Sequence, residues 1–173
     1  MPRYALYDVL QSFQETHRVV INLAGELNDE QLRWRPKGYP TSIGFHLWHL
    51  ARESDNLKAE ILSHFPQIGP DFGEGIEIWQ RDALAQRWNF PRGLHETLGS
   101  GLSDEAAAAL PIPDKEELLD YLHASYKAIE SLWNCSIPNT RTSKIWRMTC
   151  ARQLKTSGST CWNTWLMIVV TWA

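Results

Sequence analysis

The sequence lacks the features that mark exported, membrane-spanning or disulfide-bonded proteins. Its three cysteines form no CxxC pair, which argues against a disulfide framework or a zinc ribbon. The longest apolar stretch, residues 165–170, is far too short to span a bilayer. No opening segment combines a basic start, a long apolar run and a small-residue cleavage site. We therefore expect a cytoplasmic protein that does not associate with a membrane.

Two common catalytic signatures are also missing. The chain has no glycine-rich phosphate loop, and no Ser-His-Asp arrangement can be identified from residue spacing. What is present is typical of a globular protein: 173 residues, of which 43% are hydrophobic and 21% are charged. A chain of this length is long enough to bury a sizeable core.

The C-terminal segment, residues 131–173, contains no acidic residue and no histidine, whereas residues 1–130 hold all 20 Asp and Glu. The segment carries five of the nine tryptophans and all three cysteines, Cys135, Cys150 and Cys161. A nucleic-acid-binding arm would be rich in Lys and Arg, and the five found here are ordinary for this length. We therefore expect no nucleic-acid partner. The composition divides the chain into a helical part, residues 1–131, and an atypical tail, residues 132–173.

Three segments of the helical part have the apolar periodicity of long amphipathic helices, namely Tyr4–Ala24, Ser42–Phe65 and Asp114–Ser131. Shorter helices are predicted after a capping box at Asn28 and Gln31, near Ile76–Trp88, and at Asp104–Leu110 with Ser103 as the cap. No strand pattern is evident. The expected fold class is all-α, a four-helix bundle in which the tail must supply the fourth helix.

The tail does not contain a recognisable fourth helix. Residues 136–143 are rich in Pro, Asn, Thr and Ser, and residues 166–171 form a β-branched run that is typical of a strand. Local preference in the tail therefore contradicts the architecture that the rest of the chain requires.

The densest group of chemically active side chains lies on the second long helix. His46, His49 and Glu53 are spaced so that they can share one helical face, and Asn56 and Glu60 continue this polar stripe. Helical bundles build metal sites from such stripes, because ligands on facing helices converge in the core. The alternative is a half-exposed helix whose histidines pack or pair with Glu53.

The surrounding sequence resembles the DinB-like superfamily. The resemblance rests on residues 27–36 (LNDEQLRWRP) and 42–55 (SIGFHLWHLARESD), supported by residues 78–81 and 118–122, and it covers about residues 4–131. It implies a four-helix bundle that holds a divalent metal of the Zn or Ni type with three histidines, one from the second long helix and two, four residues apart, from the last. By its position in Leu-Trp-His-Leu-Ala, His49 matches the first ligand. His46 and Glu53 are either neighbours that support this ligand or alternative metal ligands.

The resemblance also implies a class of activity. Characterised relatives include transferases and isomerases that use low-molecular-weight thiols, so we expect a metal-dependent transferase, isomerase or hydrolase with a small-molecule substrate, which could form a homodimer. Three imidazoles leave a metal an open position, where a bound water or thiol becomes a nucleophile. Because the tail has no histidine, we expect an incomplete site, weak or absent metal and negligible activity. The alternative is a non-catalytic helical small-molecule-binding protein or an inactive product of a damaged gene.

A shift of reading frame would explain the tail. If the leucine codon CTG is read from its second base, the new codon is TGN, whose sense codons encode Trp or Cys. The same shift of frame removes the GAN codons that encode Asp and Glu. New codons for residues 159–173 can be formed by joining the last base of each codon with the first two bases of the next. At three positions only one residue is then possible, and these residues are Glu, Asp and Gly. This reading permits Asp-Val-Leu-Glu-His-Leu-Ala-His-Asp-Ser-Arg-His-Leu-Gly, which includes two histidines four residues apart. The frame would change between about Ser131 and Ser159. The rival explanation is a genuine divergent segment with a packed tryptophan cluster.

The remaining aromatic and histidine residues are assigned structural roles. Trp79, Trp88 and Phe90 could line a pocket, but their spacing favours a core or a lid on the bundle. His17 lies on the apolar face of the first helix and is predicted to be a hydrogen-bonded core residue. Three further histidines cannot be distinguished from surface residues, and these are His64, His95 and His123.

Overall fold

A computed structural model describes residues 6–64, 66, 69–72 and 75–135, and the regular structure in these residues is helical throughout. Three helices are long: α1 (Leu6–Glu26), α3 (Ile43–His64) and α8 (Lys115–Cys135). The short helices are α2 (Asp29–Arg33), α4 (Gly69–Phe72), α5 (Ile78–Arg81), α6 (Leu84–Arg87) and α7 (Asp104–Ala109), with a 3-10 turn at Arg92–Leu94. The predicted all-α fold class and its three long helices are therefore confirmed. The expected fourth helix falls in the tail, outside the described residues.

Side-chain caps begin several of these helices where the sequence predicts them. Asn28 and Gln31 form the reciprocal capping box that opens α2. The Ser103 side chain accepts a hydrogen bond from the backbone N–H of Ala106 and opens α7. Asp114 accepts from the N–H of Glu117 at the start of α8, and an Arg87 guanidinium N–H donates to the Glu117 carboxylate. These caps satisfy backbone donors that a helix cannot pair within itself.

The prediction of one helix near Ile76–Trp88 is wrong, because Ala83 adopts a left-handed conformation with φ of 50° and separates α5 from α6. The reason is burial. In an unbroken helix, Trp79 and Leu84 would point roughly 140° apart around the axis. The break allows both side chains to reach the core, where they are 1% and 5% exposed.

The core is built around a cluster of large aromatic rings. Trp79 lies at its centre, with its ring centroid 5.1 Å from Phe90 and 5.5 Å from Trp88. Trp48 of α3 and Tyr121 of α8 contact the same cluster from the long helices. Most of these pairs are edge-on or tilted, as aromatic rings prefer. The prediction that Trp79, Trp88 and Phe90 pack as core is therefore confirmed.

Helix α8 runs antiparallel to α1. At its start, the ammonium group of Lys115 donates to the carbonyl oxygen of Gly25 near the end of α1. Further along, Glu130 lies 2.6 Å from Nδ1 of His17, nearer the start of α1. His17 is 5% exposed and its ring stacks on Tyr126, so the prediction of a hydrogen-bonded core histidine is confirmed. Across the described residues, no helix has the length and apolar character needed to cross a membrane.

Candidate functional site

The two histidines of the α3 stripe point to different surroundings. The His46 ring is exposed, and its Nε2 lies 3.0 Å from the hydroxyl of Thr41 just before the helix. Although the side chain is largely exposed, the part of the ring that lies against the protein loses solvent, and this lowers the pKa of His46. His49 is more enclosed, with a side chain 28% exposed, and its Nδ1 lies 3.9 Å from Oε1 of Glu53, which is 16% exposed. Only His49 and Glu53 of the predicted stripe are thus brought together in a partly buried place.

A backbone carbonyl determines which ring nitrogen of a neutral His49 carries the proton. Its Nδ1 lies 2.5 Å from the carbonyl oxygen of Leu98, which is 49 residues away in sequence. A carbonyl oxygen can only accept a hydrogen bond, so Nδ1 must carry the proton. In a neutral imidazole the other nitrogen, Nε2, then carries the lone pair. This is the form in which a histidine binds a metal ion or accepts a proton.

The loop that supplies this carbonyl packs tightly against His49. Gly99 has a φ of +101°, and a Cβ at that position would lie 2.9 Å from Trp48 and 3.2 Å from His49 Nδ1. Only glycine combines this backbone conformation with so close an approach. The backbone N–H of Gly99 also donates to the hydroxyl of Thr97 at 3.1 Å, which closes a tight turn over the histidine.

A buried ion pair lies beneath the same loop. The side chains of Arg52 and Glu77 are 1% and 8% exposed, and an Arg52 guanidinium N–H donates to Glu77 at 2.9 Å. The Nε–H of Arg52 donates to the carbonyl oxygen of Thr97 at 3.3 Å, and the guanidinium lies 4.7 Å from the ring centroid of Trp79. Burial raises the pKa of Glu77, and the charge of Arg52 opposes that shift. A paired buried carboxylate of this kind holds the cation in one orientation.

A second buried carboxylate connects three helices. Asp55 of α3 is fully buried and accepts hydrogen bonds from the N–H groups of Ile78 and Trp79, both at 2.9 Å, at the start of α5. It also accepts from the hydroxyl of Tyr121 of α8 at 3.1 Å. Burial and the negative charge of Asp55 raise the pKa of Tyr121 well above its ordinary value. Asp55 thus holds the segment after α4 against both long helices.

The sequence pattern did not reveal these buried polar residues. It continued the stripe to Asn56 and Glu60, but Glu60 is exposed, and the polar residues that α3 buries completely are Arg52, Ser54 and Asp55. The available signal was the spacing of Arg52 and Asp55, three residues apart next to the apolar position Ala51. Partner residues on α5 and α8 were not recognisable from local sequence.

The other histidines take local structural roles or lie at the surface. His95 is half-buried and its Nε2 lies 3.0 Å from the carbonyl oxygen of Phe90, so this ring must carry its proton on Nε2. His64 is exposed and contacts the carbonyl oxygen of Glu60 on its own helix. His123 is exposed on α8.

The described residues supply only part of a metal site. His49 offers Nε2, and Glu53 offers a carboxylate close to it. Within the part of the chain that the structure describes, no three His, Cys, Asp or Glu side chains converge closely enough to hold an ion. Cys150 and Cys161 lie outside that part. Protein zinc sites have three or four protein ligands, so the described donor set alone does not fit a resident divalent ion.

The arrangement defines a helical protein with a half-buried histidine, beside a carboxylate, on its second long helix. The chain belongs to the DinB superfamily, whose sequence model matches residues 12–134. The resemblance seen in the sequence is therefore confirmed, and residues 135–173 lie outside the match. No curated protein matches the chain.

Proposed function

We propose that this chain carries the scaffold of a DinB-type protein that acts on small molecules through a divalent metal, with His49 as the first ligand. The observation that supports the proposal is the state of His49. The ring is partly buried, is held by a backbone carbonyl at Nδ1, and lies beside Glu53. A histidine that binds a metal through one ring nitrogen donates its other N–H to a partner such as a backbone carbonyl, and the contact between His49 and Leu98 has this form.

The class of reaction follows from the family and is part of the same proposal. A small thiol as co-substrate fits a transferase or isomerase, and water as co-substrate fits a hydrolase. The metal would be of the Zn or Ni type, since neutral imidazole suits both ions.

We further propose that the chain as it stands holds such a metal weakly and has negligible activity. Affinity arises from the convergence of several ligands in a prepared geometry, and the described residues provide one imidazole and one carboxylate. The second candidate, a non-catalytic small-molecule-binding protein or an inactive product of a damaged gene, is favoured by the same shortage of ligands. The two candidates differ in whether any residual metal uptake depends on His49.

Metal titration of the purified full-length chain tests the proposal. After removal of metal with a chelator, we expect calorimetry with Zn²⁺ or Ni²⁺ to give a dissociation constant weaker than about 1 μM, because one tight protein site needs more ligands. His49→Ala should remove this residual binding. His123→Ala, which changes an exposed histidine on α8, serves as the matched control and should leave it unchanged.

Each outcome has a distinct meaning. Weak uptake that depends on His49 supports the metal scaffold. Uptake that is indifferent to His49 favours the non-catalytic candidate. One tightly held ion per chain, lost in His49→Ala, would contradict the incomplete site.

A further inference from the structure

We infer that Arg52 and Glu77 are positioning residues for His49, and that they act through the loop Thr97–Gly99 to keep the proton on Nδ1 and the lone pair on Nε2. This inference rests on the proposed role of His49. It concerns which nitrogen of that ring is available to any ligand, whether a cation or a proton donor.

The first step is the carbonyl of Leu98. A free imidazole can carry its proton on either nitrogen, and its surroundings decide between the two. The Leu98 carbonyl, 2.5 Å from Nδ1, accepts only from the form protonated there. The alternative form would place two acceptors against each other, with their lone pairs facing and no proton between them.

The second step is the anchor of the loop. The peptide group that carries this carbonyl directly follows Thr97, whose own carbonyl oxygen accepts from Nε of Arg52. A second guanidinium N–H of Arg52 donates to Glu77 at 2.9 Å, and the guanidinium carbon lies 4.7 Å from the ring centroid of Trp79, so contacts on two sides hold Arg52 in place. The buried ion pair of Arg52 and Glu77 therefore fixes the position of the loop Thr97–Gly99 relative to α3.

The third step is the turn itself. The Thr97 hydroxyl accepts from the N–H of Gly99, and a Cβ at Gly99, whose φ is +101°, would lie 2.9 Å from Trp48 and 3.2 Å from His49. The hydroxyl of Ser100, the next residue, approaches Glu53 at 3.5 Å. One short loop thus contacts both polar side chains of the candidate site.

Nitrogen NMR of the full-length, metal-free chain tests the inference directly. With ¹⁵N-labelled histidine at a pH where imidazoles are neutral, long-range proton–nitrogen spectra identify the protonated nitrogen of each ring. We expect roughly a tenfold excess of the Nδ1–H form at His49, about the effect of one net hydrogen bond. His95 provides an internal reference with the opposite proton position, since its Nε2–H must donate to the carbonyl oxygen of Phe90.

Variants test the chain of contacts. Arg52→Lys keeps the charge opposite Glu77 but removes the Nε–H that holds Thr97, so the excess at His49 should fall several-fold while His95 keeps its signals. Thr97→Val removes only the hydroxyl of the turn and should have the same effect in a milder form. Thr97→Ser retains the hydroxyl and should match the unmodified chain.

The unmodified chain decides the central claim even if a variant fails to fold. A dominant Nε2–H form at His49 would overturn the inference. An unchanged Nδ1–H excess in folded Arg52→Lys or Thr97→Val, with native His95 signals, would overturn the positioning role. Because no metal is present, these results are independent of the metal titration, so the proposed function and the positioning role fail separately.

Discussion

Asp55 is a fully buried carboxylate whose contacts join three helices. Its carboxylate accepts hydrogen bonds from two backbone N–H groups at the start of α5 and from the hydroxyl of Tyr121. At the N-terminus of a helix a carboxylate is also favoured by the helix dipole. Asp55 lies three residues after Arg52. One face of α3 therefore carries both the ion pair with Glu77 and the carboxylate that binds the N–H groups at the start of α5.

Replacing Asp55 by Ala should destabilise the protein by about 4 kcal/mol. The change leaves three buried donors without an acceptor, and each orphaned donor costs about 1–3 kcal/mol. Urea unfolding followed by far-ultraviolet circular dichroism measures the loss. Asp120→Asn is the control, because Asp120 is exposed on α8 and its substitution should change stability by less than about 0.5 kcal/mol. A loss below about 1 kcal/mol for Asp55→Ala would show that these contacts contribute little.

His17 makes stability depend on pH. Burial lowers its pKa below the ordinary value of 6.5, and the hydrogen bond to Glu130 opposes this shift only in part. The unfolded chain therefore takes up a proton at a higher pH than the folded chain. Stability from neutral His17 is complete above about pH 6.5 and declines as pH falls through the pKa values of the unfolded and then the folded state.

We expect the stability advantage of the unmodified chain over His17→Gln to shrink between pH 8 and pH 5. Urea midpoints at several pH values give the two curves. His123→Gln, at an exposed position, should keep the pH dependence of the unmodified chain. Parallel curves for the unmodified chain and His17→Gln would contradict the buried, neutral state of His17.

At the scale of elements, the segment between α4 and α7 is shaped by packing more than by local preference. Its short helices α5 and α6 meet at Ala83, which has an exposed side chain and left-handed backbone angles. A non-glycine residue in this conformation is strained by about 1–2 kcal/mol. The buried Trp79, Leu84 and Trp88 on either side hold it there.

Ala83→Gly should therefore stabilise the protein by about 1 kcal/mol, because glycine adopts a positive φ without strain. The matched substitution Ala106→Gly, in the ordinary helical backbone of α7, should destabilise by about the same amount. Both values are read from urea unfolding curves. A loss of stability in both variants would indicate that Ala83 is not strained.

At the scale of the whole molecule, the family match ends at residue 134 and the change in composition begins near residue 131. Helix α1 leaves Val19 and Leu23, four residues apart, 42% and 59% exposed. A frame change in the tail, which we propose, would account for the missing acids and the missing histidine ligands together. It also predicts that the coding DNA holds a second reading with a histidine pair four residues apart.

Restoring that reading should add a helix, raise the urea midpoint and give one tightly bound divalent metal per chain. The physical reason is that two imidazoles from a packed helix would join His49 in a prepared geometry. Metal analysis, with His49→Ala in the restored chain as the control, measures the outcome. Coding DNA with no histidine-bearing alternative frame would refute the frame change, and restored protein without metal would refute its functional meaning.

Features that depend on neighbours along the chain could be predicted from the local sequence. The long helices, the caps at Asn28 and Ser103 and the buried His17 follow from spacings of a few residues, which the helix repeat converts directly into faces. The superfamily and the candidate ligand His49 were identified instead from the resemblance of short motifs to a known family.

The contacts between side chains that are distant in sequence became evident only in the folded chain. Asp55 and Tyr121 are 66 residues apart, His49 and Leu98 are 49 apart, and Arg52 and Glu77 are 25 apart. Such pairs depend on the path of the chain between the helices, and that path is set by the burial of Trp79 and its aromatic neighbours. Helical periodicity has no information about a partner on another helix, so the proton position of His49 and the ion pair beneath it became visible only in the folded chain.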